Sequence, residues 1–287
     1  MSSQSSKTQW RALSQTRDMG SATLFDQPWG AHEPGALQRA LIALTQNTVL
    51  QRGAARAMMA RRILSLGRPL DIRFRGCAYR IEGRNNLIET GLLTRPSYNA
   101  QEIEFLSEAV RDGGVAVDIG CNIGLYALPL AQAAGPGGQV VAIDANADMI
   151  ARLEFNAQAS DLGNVHAVHR AVGGETARVD LQIRQDDVAI VSVAASDDGR
   201  VQMQPLLDIL AQADVTRIDA LKIDIEGHED AALVPFLQQS SADLRPTRIV
   251  IERMGPDGDY PGCVAEFARL GYRLVGRTRN NSLYALD

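Results

Sequence analysis

Two runs in this 287-residue chain place ionisable and small residues at spacings suited to chemistry. In the first, VAVDIGCNIGLYAL (115–128), Asp118, Gly120, Asn122 and Gly124 fall where an apolar strand turns into a helix. Glycine permits the sharp bend, and the unpaired amides of the following helix N-terminus suit a carboxylate or phosphate. Asn122 stands where the dinucleotide pattern G-x-G-x-x-G requires its second glycine, so a pyrophosphate would be crowded. Asp118 adds a negative charge that suits an ammonium group and repels a pyrophosphate. The next apolar run, VVAID, ends at Asp144, twenty residues after Gly124. An acid there can accept hydrogen bonds from both hydroxyls of a ribose, or cap the following helix. Together these features point to a nucleoside-type cofactor, with Cys121 a small packing residue.

In the second run, ALKIDIEGHEDAAL (220–233), Lys222, Asp224, Glu226, His228 and Glu229 close a strand whose other face is Leu221, Ile223 and Ile225. Alternation points Lys222, Asp224 and Glu226 the same way. Ligands of open α/β sheets bind beyond the carboxyl ends of the strands, where Asp224 and Glu226 fall. Asp224, Glu226 and His228 are candidates to remove a proton from an acceptor, and Glu252, closing RIVIE, shares the rim. Lys222 is one of two lysines, the other being Lys7, which hints at a specific partner. The structural alternative is a buried Lys222–Asp224 pair that orders the sheet, with Glu226 and His228 solvated at a helix start. Two or three carboxylates can also hold a divalent cation, but the further ligands that would assign a metal are lacking. His32, His166 and His169 read as surface or packing residues.

These residues need elements to hold them. Residues 1 to about 35, rich in Ser, Gln and Gly, read as a loosely ordered tail. Apolar spacing from Ala36 to Leu66 predicts two short helices broken near Gly53, and Leu70 to Ile88 alternates as a short hairpin. Residues 36–99 thus form an accessory segment. Ala100 to Val110 reads as a helix stopped by Asp112-Gly113-Gly114. Beyond it VAVDIG, VVAID, VHAVHRAV, ALKIDIEG, RIVIER, YRLVGR and SLYAL alternate with amphipathic segments, which predicts an α/β sheet in a domain spanning 100–287. The last two runs are separated only by Thr278–Asn281, too little for a crossover, so they form an antiparallel hairpin. Residues 186–208, with Asp186-Asp187 and Asp197-Asp198, look like an insertion that could form a lid.

Composition sets the outer limits. Hydrophobic residues make up 45% and charged residues 22%, which fits a folded globular chain rather than a disordered one. The net charge of -5 conceals an asymmetry: residues 1–80 carry 12 basic and 4 acidic side chains, the remainder 17 and 30. Such a basic segment favours anionic surfaces or the protein's own acidic domain. Cys77, Cys121 and Cys263 lack the paired spacing of a zinc site or disulfide framework. With no signal-like or membrane-spanning run, the expected location is the cytoplasm. An acidic second half and the absence of Asn or Asp before Pro-Pro-Tyr make nucleic acid an unfavoured substrate.

From about Tyr98 to Leu286 the chain resembles the FkbM family of methyltransferases. The resemblance rests on Tyr98 with Glu102, VDIGCNIGLYAL, LKIDIEGHE, IVIE, GYRL and RTRNNSLYAL. It implies a class I methyltransferase Rossmann-like fold, with a mostly parallel sheet ending in an antiparallel hairpin, and S-adenosylmethionine as donor. It implies O-methylation of a small molecule or sugar. Cys121 replaces a common alanine, and Asp144 replaces a common glutamate with a shorter arm. Carried over by position, Glu102, Asp118, Gly120, Asn122, Gly124, Asp144 and Ala145 would bind the cofactor, while Lys222, Asp224, Glu226 and His228 would face the acceptor. The competing readings are a nicotinamide-dependent oxidoreductase, opposed by Asn122 and the final hairpin, and a non-catalytic scaffold, opposed by the intact acids. Oligomeric state is not encoded in these motifs.

Overall fold

The computed structural model describes residues 25–83, 87–183, 191–195, 199–255 and 258–286. Strands β3 (Val115–Ile119), β4 (Gln139–Asp144), β5 (Val165–His169), β10 (Ala220–Ile223) and β11 (Arg248–Glu252) run parallel in a seven-stranded sheet. Near-continuous apolar runs suit them to a sheet covered on both faces. Strand β12 (Arg273–Arg277) pairs antiparallel with β13 (Asn281–Ala285), and β13 inserts beside β11. The order β12-β13-β11-β10-β3-β4-β5 is the class I methyltransferase arrangement.

Strand β3 lies where the strand order reverses, the point at which such sheets open a crevice. Ile119 stands level with Ile143 on one side and Ile223 on the other, so three strands end together. On one face Ala116, Ala142, Ala220 and Val250 pack with Ile103 and Leu106 of α4 (Ala100–Val110) and Leu128 and Leu130 of α5 (Ala127–Ala134). On the other, Val117, Val141, Leu221 and Ile249 meet α7 (Leu206–Gln212), α8 (Glu229–Gln239) and α9 (Pro261–Leu270). Apolar burial on both faces, at roughly 25 cal/mol per Å², fixes the level at which the strand ends project.

Before the sheet come α1 (Ala36–Gln46), α2 (Gly53–Ser65), the antiparallel pair β1 (Leu70–Phe74) and β2 (Cys77–Ile81), and α3 (Leu87–Thr94). Ile88 therefore belongs to a helix rather than to the hairpin. All five residues of β2 are buried, and the strand packs on α6 (Ala147–Ala159). The first 24 residues of the expected tail lie outside the described residues, but 25–35 are anchored. Asp71 Oδ2 accepts from the amides of Gly30 and His32 at 2.7 and 3.1 Å, and Arg80 donates to the carbonyls of Gln27 and Pro28, both at 2.8 Å. On the segment's side these hydrogen bonds use backbone groups, supplemented by Phe25 against Phe155 and Trp29 under Arg73, so no apolar periodicity announced it.

Part of the insertion expected at 186–208 is strand. Strands β6 (Ala171–Val172), β7 (Ala177–Ile183), β8 (Val191–Ala195) and β9 (Val201–Gln204) form a separate four-stranded sheet in the order β6-β9-β7-β8. The acids expected to mark the lid, Asp186, Asp187, Asp197 and Asp198, lie outside the described residues. No helix among the described residues is long and apolar enough to cross a membrane.

Candidate active site

Alternation along each strand collects one polar row at the carboxyl edge, on the sheet face covered by α4 and α5. Asp118 and Lys222 are directly opposed between β3 and β10, and Glu252 opposes Asn281 between β11 and β13. Asp144 ends β4 on the same face as Ala142.

Asp118 is buried, and its Oδ2 accepts the Ala127 amide at 3.0 Å, at the start of α5. Its Oδ1 is buried without a hydrogen-bond partner. Burial pushes this carboxyl up to about 7, against the opposing pull of Lys222. Asp144 is half-buried and accepts the Asn122 and Asn146 amides, one on each oxygen, both at 2.8 Å. Burial still raises it to about 6. Asn146, not Asp144, caps α6, accepting from the Asp148 amide at 3.0 Å. Each Asp144 oxygen retains a lone pair for a hydroxyl donor. Ala145 is also half-buried, with its carbonyl 2.8 Å from His169 Nε2.

The two glycines serve the scaffold more directly than a ligand. Gly120 has φ +78, and a Cβ there would overlap the carbonyl oxygen of Asp224. The turn after β3 thus touches the turn after β10, which joins the two sequence motifs through backbone. Gly124, at φ +95, makes room for Leu153 and Leu128. Asn122, at φ +49, is buried between them in the left-handed region that Asn tolerates. The buried Cys121 thiol is driven well above its ordinary range, as suits a packing residue.

Beyond β10 the structure corrects the alternation. The strand ends at Ile223, and residues 224–228 form a turn, with Glu226 exposed at φ +54. Glu226 therefore leaves the row that Lys222 occupies. His228 is half-buried at the N-cap of α8, and its side chain makes no capping bond. Lys222, buried, donates to the Ile223 carbonyl at 2.8 Å and to Asp224 Oδ2 at 3.3 Å, and lies 5.4 Å from the Tyr126 ring centroid. The Asp224 side chain is 38% exposed, so the pair joins a buried cation to an anion open to solvent. Burial, then the negative charge of Asp224, pushes the Glu252 carboxyl well above its ordinary range.

Sequence reasoning did not assign four supporting residues. Fully buried Glu229 accepts the Ile225 and Gly227 amides at 2.8 and 2.9 Å, which shapes the turn carrying Glu226. Its place two residues after Gly227 was the available signal. Tyr126, buried over Lys222, is hydrogen-bonded to Asn99 Nδ2 at 2.7 Å. Asn281 donates to Glu102 Oε1 at 3.2 Å, and Thr278 does so at 2.5 Å, tying the start of α4 to the final hairpin. Among the described residues, oxygens of Asp224, Glu229 and Glu252 lie within 4.8 Å of one another. Of the three, Glu229 is committed to the Ile225 and Gly227 amides.

The family model described as Methyltransferase FkbM domain matches residues 118–274, more than half of the chain. The chain belongs to the FkbM methyltransferase family. The match takes in both motifs of this FkbM protein, from Asp118 into β12, and leaves Glu102 and the accessory segment outside. It is an S-adenosylmethionine-dependent methyltransferase, which sets aside the oxidoreductase reading. No curated protein matches it. Among solved structures it is similar to a precorrin-6y C5,15-methyltransferase from Geobacter metallireducens, with 14% identity over 68% of this chain and 89% of that one, at a TM-score of 0.43. An S-adenosylmethionine-dependent O-methyltransferase from Thermotoga maritima matches at 14% identity, 64% of each chain and a TM-score of 0.41. A Pyrococcus abyssi tRNA (uracil-54, C5)-methyltransferase in complex with S-adenosyl-L-homocysteine matches at 16% identity, 76% of this chain, 44% of that one and a TM-score of 0.43. Strand order, rather than these likenesses, defines the fold of the FkbM protein.

Proposed function

We propose that this FkbM methyltransferase methylates a hydroxyl group of a small molecule or sugar, with Asp224 as the proton acceptor. The observation that carries the reading is the half-exposed Asp224 carboxylate, held by the buried Lys222 beyond the carboxyl end of β10. A hydroxyl is a weak nucleophile until its proton leaves, and a positioned carboxylate supplies that step. Lys222 fixes Asp224 and offsets its charge. Glu226 and His228, on the same turn, meet the acceptor.

The residues present fit the cofactor. The unpartnered Asp118 Oδ1 suits an ammonium group, and the remaining lone pairs of Asp144 suit the two ribose hydroxyls. Gly120, Asn122 and Gly124 hold the turn between these acids, with Ala145 and Glu102 at its margins. S-adenosylmethionine, when bound, supplies an electrophilic methyl carbon. The chain's task is to orient the acceptor oxygen and accept its proton.

Calorimetric titration with S-adenosylhomocysteine, repeated with NADH, tests the cofactor half. Saturable one-site binding of the former alone supports it, and binding of neither favours a non-catalytic scaffold. Methyl transfer to a panel of hydroxylated, amine and carbon acceptors tests the rest. In Asp224→Asn the affinity for S-adenosylhomocysteine should stay within about twofold, while kcat on a hydroxyl acceptor falls roughly 10²–10⁴-fold. Unchanged turnover in that variant removes Asp224 as the base.

A further inference from the structure

The accessory helices carry a surface that methyl transfer does not use. Among the described residues, ten large apolar side chains are exposed, and six of them, Leu37, Leu44, Val49, Met58, Leu66 and Leu87, lie between residues 37 and 87. Leu37, Ala40 and Leu44 follow one face of α1 at helical spacing. Val49, 75% exposed, lies in the link to α2, whose exposed face presents Met58, Arg61 and Arg62, with exposed Leu66 at its C-cap. Scattered exposed leucines need no explanation, but a concentration of this kind marks an interaction surface.

Charge selects the occupant. From Pro34 to Leu70 the chain has six arginines, Arg39, Arg52, Arg56, Arg61, Arg62 and Arg68, and no acid. The remainder of the protein is acidic enough to bring the whole to -5. A second copy docking face to face would set like charges against each other. Nucleic acid would use the arginines but gain little from Leu37, Val49 or Met58. An anionic bilayer uses both, since aliphatic side chains enter the acyl boundary while arginine heads stay among the phosphates.

We propose that α1, α2 and their link dock this methyltransferase on anionic phospholipid membranes. The acidic catalytic body is then repelled from the surface that the helices grip, which sets an orientation as well as an affinity.

The test is co-sedimentation of the full chain with unilamellar vesicles of phosphatidylcholine, with or without about one quarter phosphatidylglycerol. Partition into the anionic vesicles at low ionic strength, largely lost at about 0.5 M salt, is the expected result. Arg61→Gln with Arg62→Gln should lower that partition roughly 25-fold, about fivefold for each arginine. Val49→Ser with Met58→Ser should also lower it, and both double variants should keep the parental melting temperature because the sites are exposed. Equal sedimentation with and without vesicles overturns the proposal, as does partition that ignores both variants. So does dimerisation, seen by light scattering and abolished by Met58→Ser, or RNA binding through the arginines, either one without vesicle binding.

Discussion

Asp118 is buried beside Lys222 with one oxygen lacking a partner, so it holds its proton to about pH 7. A ligand ammonium needs the ionised form. Affinity for S-adenosylhomocysteine should therefore rise as pH goes from about 5.5 to 8 and then level off, measured by titration calorimetry. Asp118→Asn should weaken binding about 10- to 100-fold and flatten that dependence while the protein stays folded. Gly120 offers a different contrast. Gly120→Ala forces a methyl into the Asp224 carbonyl at φ +78 and should cost about 3 kcal/mol or more in denaturant unfolding. Gly135→Ala, at φ +66 and ψ -176 with nothing within 4 Å of the added carbon, carries backbone strain alone and should cost less, about 1–3 kcal/mol. Asp118, Asp144 and Lys222 were legible because their types are out of place in apolar runs. The contact between Gly120 and Asp224 was not, since a glycine in sequence does not say which atom needs its space.

The turn from Asp224 to His228 shows where period-2 reasoning runs out. Alternation holds while the strand lasts, and β10 stops at Ile223, so Glu226 departs from the face that Lys222 shares with Asp118. What sets the turn instead is Glu229, through two amides. In Glu229→Gln the charge-assisted bonds weaken, and kcat should fall at least tenfold while calorimetry finds S-adenosylhomocysteine affinity little changed. The hairpin β1–β2 depends on another buried charge. Burial alone would raise Asp71, but Arg80 and the amides of His32 and Gly30 outweigh it and hold the carboxyl low. Arg80→Met should cost about 3–5 kcal/mol in chemical denaturation, because it strands that carboxylate. The hairpin was readable from alternation. The docking of residues 25–35 on it was not, because carbonyls and amides of unremarkable residues make the bonds.

Across the molecule these carboxyls titrate in opposite senses. Asp144 and Asp118 keep their protons in the folded state to about 6 and 7, and Glu252 is raised as well, so stability is fullest below the ordinary carboxylate range and is lost as pH rises from there through the folded values. Asp71 is held low, and its contribution is lost as pH falls below the ordinary carboxylate range. The ligand-free protein should melt highest near about pH 4, and S-adenosylhomocysteine should raise the midpoint most near pH 8, as scanning calorimetry can check. The mostly parallel sheet and its closing antiparallel hairpin were legible, because near-continuous apolar runs suit buried parallel strands and a loop of a few residues leaves no room for a crossover. The small sheet of β6 to β9 was hidden: Ala171 and Val172 read as a continuation of β5, yet they pair with β9. The late insertion of β13 between β11 and β12 bears on how the chain is made. While residues up to 280 emerge in order from the ribosome, β11 keeps an open row of amides and carbonyls, and β12, already synthesised, lacks its pairing strand. Pairing of 281–285 closes both at once, so a chain lacking those five residues presents two unpaired strand edges prone to association.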